Sequence, residues 1–121
     1  MAIICKDNVI TLKTKNSVYQ MKEDRGFLFH TYYGPNVGDT DMSYLWRTID
    51  RGFSGNPEGI DDRGFSLDTQ LLEYPGYGTG DYRDYCLRVV YPDGSQVTNL
   101  KYVDHEILEG KYALEGLPAM Y

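Results

Sequence analysis

The chain has 121 residues, of which 41% are hydrophobic, 25% are charged and 14% are aromatic, a composition typical of one globular domain. Its formal net charge of -6 argues against nucleic-acid binding, because phosphate contacts draw on clustered lysine and arginine. The sequence has no apolar run long enough to span a membrane, no signal-peptide pattern at its start, and only two cysteines, Cys5 and Cys86, too few for a disulfide framework. We therefore expect a cytoplasmic, reduced protein without nucleic-acid or membrane partners.

The first third of the chain predicts an antiparallel meander. Residues 9–13, 17–22 and 27–33 are rich in strand-forming side chains, and short turns separate them at Lys15-Asn16 and at residues 23–26. A short helix is the best interpretation of residues 42–49, with Asp41 as its N-cap.

The last third has a similar pattern. Residues 82–91 alternate apolar and polar side chains, Pro92-Asp93-Gly94-Ser95 is a hairpin signal, and residues 96–107 follow as a return strand. No segment keeps a helical period over three turns, so the predicted fold class is all-β, an antiparallel β-sandwich with a long Gly/Asp-rich loop.

The long loop, residues 50–81, contains the same pentapeptide twice. DRGFS occurs at residues 50–54 and 62–66, and a partial copy, DRGF, occurs at residues 24–27. No twelve-residue period continues on either side, so we interpret the two full copies as similar turns that frame one loop, with a strand-like segment at residues 64–69 between further turns.

The repeated acid–arginine pairs allow two interpretations. Asp50 could pair with Arg63, or Asp62 with Arg51, as a salt bridge worth about 0–1 kcal/mol when exposed. Alternatively, the same groups form a fork for a polyhydroxylated ligand, because a carboxylate accepts from sugar hydroxyls and a guanidinium donates to them.

Other polar groups predict no cofactor or metal site. Asp39-Thr40-Asp41 lacks the glycine and terminal glutamate of an EF-hand loop, and His30 and His105 lack zinc-site spacing. Residues 76–80 are glycine-rich but lack the lysine of a phosphate loop.

Six phrases occur in order along the chain: DRGFSGNP, DRGFSLDT, LEYPGYGTGDYR, PDGS, LKYVDHEILEGK and LEGLPAMY. Together they resemble the start of family 36 alpha-galactosidases. The resemblance implies a β-supersandwich domain that is followed by a (β/α)8 barrel and a small β domain. It also implies a tetramer that releases terminal α-linked galactose, with retention, from oligosaccharides such as raffinose and melibiose.

In that family the nucleophile lies in a Lys-Trp-Asp strand motif and the acid/base in a Ser-Asp-Asn stretch. Neither motif occurs here, and Trp46 is not followed by aspartate. The resemblance therefore implies that residues 1–121 are a single, truncated N-terminal β-sandwich-type domain without the catalytic barrel, inactive alone, with no catalytic residue of its own.

The resemblance also implies that the long loop, residues 50–81, reaches a neighbouring subunit's active site, with Asp50 and Arg63 binding substrate. Gly55, where many relatives have proline, and the acidic Asp61-Asp62 are departures from the family pattern. Two alternatives stay open: a freestanding galactoside-binding module, suggested by the twelve tyrosines, and an assembly element that supplies only subunit contacts.

Overall fold

The computed structural model describes residues 2–50, 57–79, 84–110 and 116. The chain begins with one antiparallel sheet of four strands in the order β1-β2-β3-β4. The strands are β1 (Ala2–Lys6), β2 (Val9–Lys13), β3 (Ser17–Asp24) and β4 (Phe27–Pro35), and a short 3-10 helix follows at Ser43–Leu45. The all-β class and the three-stranded meander are confirmed, while β1 is an additional strand that the sequence pattern did not single out. No helix in the described residues is long and apolar enough to cross a membrane.

Two of the sheet's connections are two-residue turns with left-handed backbone. Asp7 and Asn8 join β1 to β2 with φ of 51° and 64°, and Arg25 and Gly26 join β3 to β4 with φ of 55° and 84°. Positive φ at both central residues is the geometry of a type I′ turn, whose twist matches that of the flanking strands. An arginine occupies a position that usually suits asparagine or glycine.

The long loop supplies two of the four residues of the buried hydrophobic cluster. Phe27 and Phe29 of β4 pack with Phe65 and Leu67 in a buried cluster, against which Trp46, Ile60 and Leu72 also pack. Phe29 and Phe65 meet edge to face with ring centroids 5.7 Å apart. The strand-like interpretation of residues 64–69 was wrong, because this segment consists of turns that direct Phe65 and Leu67 into the core.

Gln20 attaches the chain after β4 to the same face of the sheet. Its side chain is fully buried. The amide nitrogen donates to Thr11 Oγ1 (3.1 Å) and to the Thr40 carbonyl (3.0 Å), and the amide oxygen accepts from the Met42 N–H (2.8 Å). Because these partners satisfy a buried amide, residues 40–42 are held against the sheet.

Residues 71–73, the edge segment, pair with the free edge of β4. Leu72 forms an isolated antiparallel bridge with Phe29. The His30 N–H donates to the Leu71 carbonyl (2.8 Å), and the Glu73 N–H donates to the Leu28 carbonyl (3.0 Å). This edge is therefore covered over a few residues without a full fifth strand.

The two strands predicted in the last third are wrong for the described residues. Residues 84–91 and 96–107 contain no strand ladder, and an isolated parallel bridge joins Leu87 to Gly76. The turn between them is present, since the Gly94 N–H donates to the Tyr91 carbonyl (2.9 Å) and the Tyr91 N–H donates to the Ser95 carbonyl (2.9 Å). Alternating side chains favour a strand when one face is buried, but Leu87 and Tyr91 remain exposed here.

The predicted helix at residues 42–49 is reduced to the three residues of the 3-10 helix. The expected N-cap, Asp41, was wrong, because Met42 is the N-cap; the Asp41 carboxylate, one position earlier, accepts a hydrogen bond from the Ser43 N–H (2.8 Å). Trp46 then adopts extended backbone and donates its indole N–H to the His30 carbonyl (3.1 Å). The packing of Trp46 against the core thus ends the helix after one turn.

Candidate substrate-binding loop

Asp50 and Arg63, the two predicted site residues, are brought together by the structure. Arg63 Nε lies 3.2 Å from Asp50 Oδ1, and the side chains are 70% and 59% exposed, respectively. The alternative pairing of Asp62 with Arg51 involves a residue outside the described part of the chain, and Asp62 has a different cationic partner. The exposed pair presents both an acceptor and donors to solvent.

That partner is Arg25, in the partial copy of the repeated motif. Arg25 Nη1 lies 2.8 Å from Asp62 Oδ2, and the guanidinium carbon lies 4.6 Å from the centroid of the Phe65 ring. The hydrogen bond from Arg25, together with one from the Gly64 N–H, lowers the pKa of Asp62 below its ordinary value. The partial copy is visible in the sequence, but no local pattern predicts its contact with the second full copy.

An open cleft of about 640 Å³ lies beside this ion pair. Lys101 lines the cleft, and its Nζ lies 3.5 Å from the Phe27 ring centroid. Burial lowers the pKa of Lys101, although Glu58 opposes the shift. The lining contains both cationic donors and carboxylate acceptors, a chemistry that suits a hydroxyl-rich ligand better than an anion. The lining residues are Arg25, Glu58, Gly59, Ile60, Asp61, Asp62 and Lys101.

The remaining polar candidates have structural partners. Asp39 pairs with Lys13 (3.0 Å) and Asp41 with Lys22 (2.7 Å), so the two carboxylates bind separate lysines. His105 contacts the Tyr102 hydroxyl through Nδ1. Within the described ranges, no three His, Cys, Asp or Glu side chains are grouped so that they could hold a metal ion.

A cluster that sequence reasoning missed joins the sheet to the edge segment. The Tyr19 hydroxyl donates to Glu73 Oε1 (2.5 Å), and His30 Nδ1 lies 3.5 Å from the same oxygen. Burial and the Glu73 hydrogen bond raise the pKa of Tyr19 to about 12. Tyr19 and Glu73 are 54 positions apart, so no local pattern indicates the contact.

A second, more apolar groove of about 590 Å³ lies on the face of the sheet opposite the core cluster. Aliphatic side chains of the strands form its floor, among them Ile10, Leu12 and Met21, and residues 100–107 form one wall. Its apolar lining distinguishes it from the charged cleft near Arg25.

Comparison with known proteins identifies the domain. The profile of the glycosyl hydrolase family 36 N-terminal domain matches residues 26–121. The bifunctional alpha-galactosidase/sucrose kinase AgaSK of Mediterraneibacter gnavus is 44% identical over 125 residues, which cover 100% of this chain and 13% of that protein. The alpha-galactosidase AgaA of Geobacillus stearothermophilus is 44% identical over 111 residues, which cover 91% of this chain and 15% of AgaA.

Solved structures agree with the sequence matches. The galactosidase domain of AgaSK superposes with a TM-score of 0.87 at 44% identity, covering 98% of this chain and 17% of that one. AgaA A355E D548N, solved in complex with raffinose, superposes with a TM-score of 0.81 at 43% identity, covering 93% and 16%.

The fold and the matches define the class as the all-β N-terminal domain of a glycosyl hydrolase. The chain belongs to glycosyl hydrolase family 36. It spans 13% and 15% of the length of these two curated relatives.

Proposed function

We propose that this chain is the N-terminal part of an alpha-galactosidase that hydrolyses terminal α-linked galactose, with retention, from oligosaccharides such as raffinose and melibiose. The proposal is supported by membership of family 36 and by relatives that are named alpha-galactosidases. In this proposal the complete enzyme is a cytoplasmic tetramer, and its catalytic carboxylates lie outside these 121 residues.

The part that this chain plays is to bind substrate and to support oligomerisation. Asp50 and Arg63 contact the terminal galactose across a subunit boundary, or hold the loop that does. The observation that carries this role is their mutual contact of 3.2 Å with both side chains largely exposed. A guanidinium has five N–H donors, so the bond to Asp50 leaves Arg63 able to donate to a ligand.

These two residues orient the substrate and take no part in bond cleavage. The Asp50 carboxylate accepts hydrogen bonds from sugar hydroxyls, and the Arg63 guanidinium donates to hydroxyl oxygens. Their mutual contact keeps each charge at a defined position before the substrate arrives, which reduces the entropy cost of ordering them on binding. Hydrolysis itself requires a pair of carboxyl groups that the proposal assigns to the barrel.

Substitution in the complete enzyme tests the proposal. A hydrogen bond between a charged group and a ligand is worth roughly 1.5–3 kcal/mol, so Asp50→Ala and Arg63→Ala should each lower kcat/KM for raffinose by about 10- to 100-fold. Melting temperatures should change little, because exposed ion pairs contribute little stability. Steady-state kinetics and melting curves measure both quantities.

Lys13→Ala is the matched control, since it removes another surface ion pair, 3.0 Å from Asp39, away from the loop. It should leave kcat/KM unchanged. Wild-type kinetics in Asp50→Ala or in Arg63→Ala would contradict the proposed role.

A further inference from the structure

Arg25 lies in a turn of the four-stranded sheet, and its side chain contacts Asp62 in the long loop. It occupies the two-residue turn between β3 and β4, with φ of 55°, and is followed by Gly26 with φ of 84°. The strands on either side are paired up to Asp24 and Phe27, so the turn is anchored to the sheet. A side chain that projects from this turn therefore starts from a well-defined position.

The guanidinium of Arg25 holds the turn that contains Arg63. Arg25 Nη1 lies 2.8 Å from Asp62 Oδ2, and its Nε lies 3.7 Å from Asp24 Oδ1. The carbon of the same guanidinium lies over the Phe65 ring, 4.6 Å from its centroid. Asp62 precedes Arg63 in the chain and Phe65 follows it, so the Arg25 side chain contacts residues on both sides of Arg63.

The turn itself is closed by short-range hydrogen bonds. The Gly64 N–H donates to Asp62 Oδ1 (2.9 Å), and the Phe65 N–H donates to the Asp62 carbonyl (2.9 Å). The Phe65 ring is buried in the core cluster. Arg63 is thus the exposed residue of a turn whose neighbours are fixed by Arg25 and by the core.

We propose that Arg25 is a positioning residue, which acts through Asp62 and Phe65 to hold Arg63 in contact with Asp50 for substrate binding. The inference rests on the proposed function of Asp50 and Arg63. It also accounts for the third copy of the motif: the DRGF turn of the sheet binds the DRGF turn of the loop. An ion pair that is 40% and 44% exposed contributes little to overall stability, but it selects one orientation of a turn.

Arg25→Asn in the complete enzyme is the sharpest test. Asparagine before glycine is a preferred pair for a type I′ turn, so the substitution removes the guanidinium without straining the backbone. We expect an unchanged melting temperature and a fall in kcat/KM for raffinose of about 3- to 10-fold, because neighbouring residues in one network couple by such amounts. Arg25→Lys, which keeps the positive charge, should recover part of the loss.

A double-mutant cycle separates positioning from a general structural role. If Arg25 acts through Arg63, Arg25→Asn should cause no further loss in an enzyme that already carries Arg63→Ala. Losses that multiply in the double mutant, or a single Arg25→Asn mutant with wild-type kinetics, would overturn the inference. Wild-type kinetics in Arg63→Ala alone would instead overturn the proposed function and this inference with it.

Discussion

The backbone at Gly76 lies very close to the backbone at Thr98. A Cβ atom at this position would lie 2.4 Å from the Thr98 carbonyl oxygen, a distance that no real side chain tolerates. The residue is buried, and the Thr98 N–H donates to the carbonyl of neighbouring Tyr77 (3.0 Å). Here glycine is required by packing between two backbones.

We therefore predict that Gly76→Ala destabilises the domain by roughly 1–3 kcal/mol, because the Thr98 backbone must move to make room for the added methyl group. Gly34→Ala is the control, since its Cβ would meet only the far end of the Tyr32 side chain, which can rotate away. Thermal melting of both variants checks the difference. Equal melting temperatures in the two variants would mean that residues 76 and 98 are not in close contact.

At the scale of elements, the edge segment at residues 71–73 depends on a few contacts with the sheet. Two backbone hydrogen bonds join it to Leu28 and His30 of β4. The Tyr19 hydroxyl adds a bond from β3 to Glu73, across β4. Because so few bonds hold the segment, loss of one should be detectable locally even when the rest of the sheet is unaffected.

We predict that Tyr19→Phe weakens this attachment by about 1.5 kcal/mol, the lower end for a hydrogen bond to a charged group. Burial and Glu73 raise the pKa of Tyr19 from 10.0 to about 12. The contribution of Tyr19 is therefore complete below pH 10 and is lost as the pH rises toward 12.

Hydrogen exchange at the His30 and Glu73 amides measures the effect. The difference between wild type and Tyr19→Phe should be large near neutral pH and should shrink at about pH 11, where ionisation of the unfolded tyrosine opposes folding. Tyr33→Phe, at a side chain that is 70% exposed, is the control and should change neither amide. A difference that grows with pH would contradict the prediction.

For the molecule as a whole, the two faces of the sheet differ in how they are covered. The loop packs Phe65 and Leu67 onto one face, while the other borders the open apolar groove of about 590 Å³. The charged cleft and the Asp50–Arg63 pair present hydrogen-bond donors and acceptors to solvent. Asp50 and Asp62 are each paired with an arginine, an arrangement that suits binding rather than general acid–base chemistry.

We predict that the purified 121-residue chain does not hydrolyse a nitrophenyl α-galactoside, while the complete enzyme does. The reason is that retaining hydrolysis needs a nucleophile and an acid/base on opposite sides of the bond, and our proposal assigns both to the barrel. A colorimetric assay of both proteins at equal concentration is the measurement. Activity of the short chain that disappears when its own carboxylates are mutated would contradict the prediction.

Titration calorimetry of the same chain tests the alternative of a freestanding module. No heat on addition of galactose, melibiose or raffinose at millimolar concentration would exclude that alternative. Saturable heat would favour the freestanding module. It would argue against the interpretation that this domain binds sugar only as part of the complete enzyme.

Features that depend on local chemistry could be predicted from the order of residues alone. Alternating side chains and short turns located β2, β3 and β4 within a few residues, since strand period and turn preference are properties of neighbouring positions. The repeated motif and the order of six phrases indicated the family and singled out Asp50 and Arg63 as a possible pair. Their role in binding substrate stays a prediction.

Contacts between groups that are distant in the chain depend on the folded structure. Arg25 contacts Asp62, and Tyr19 contacts Glu73, because the register of the sheet and the path of the loop bring these residues together. No local sequence pattern predicts either the register or the path. The same reason explains the wrong strands at residues 84–91 and 96–107: their alternation is real, but a strand ladder forms only where a partner edge and a face to bury are available.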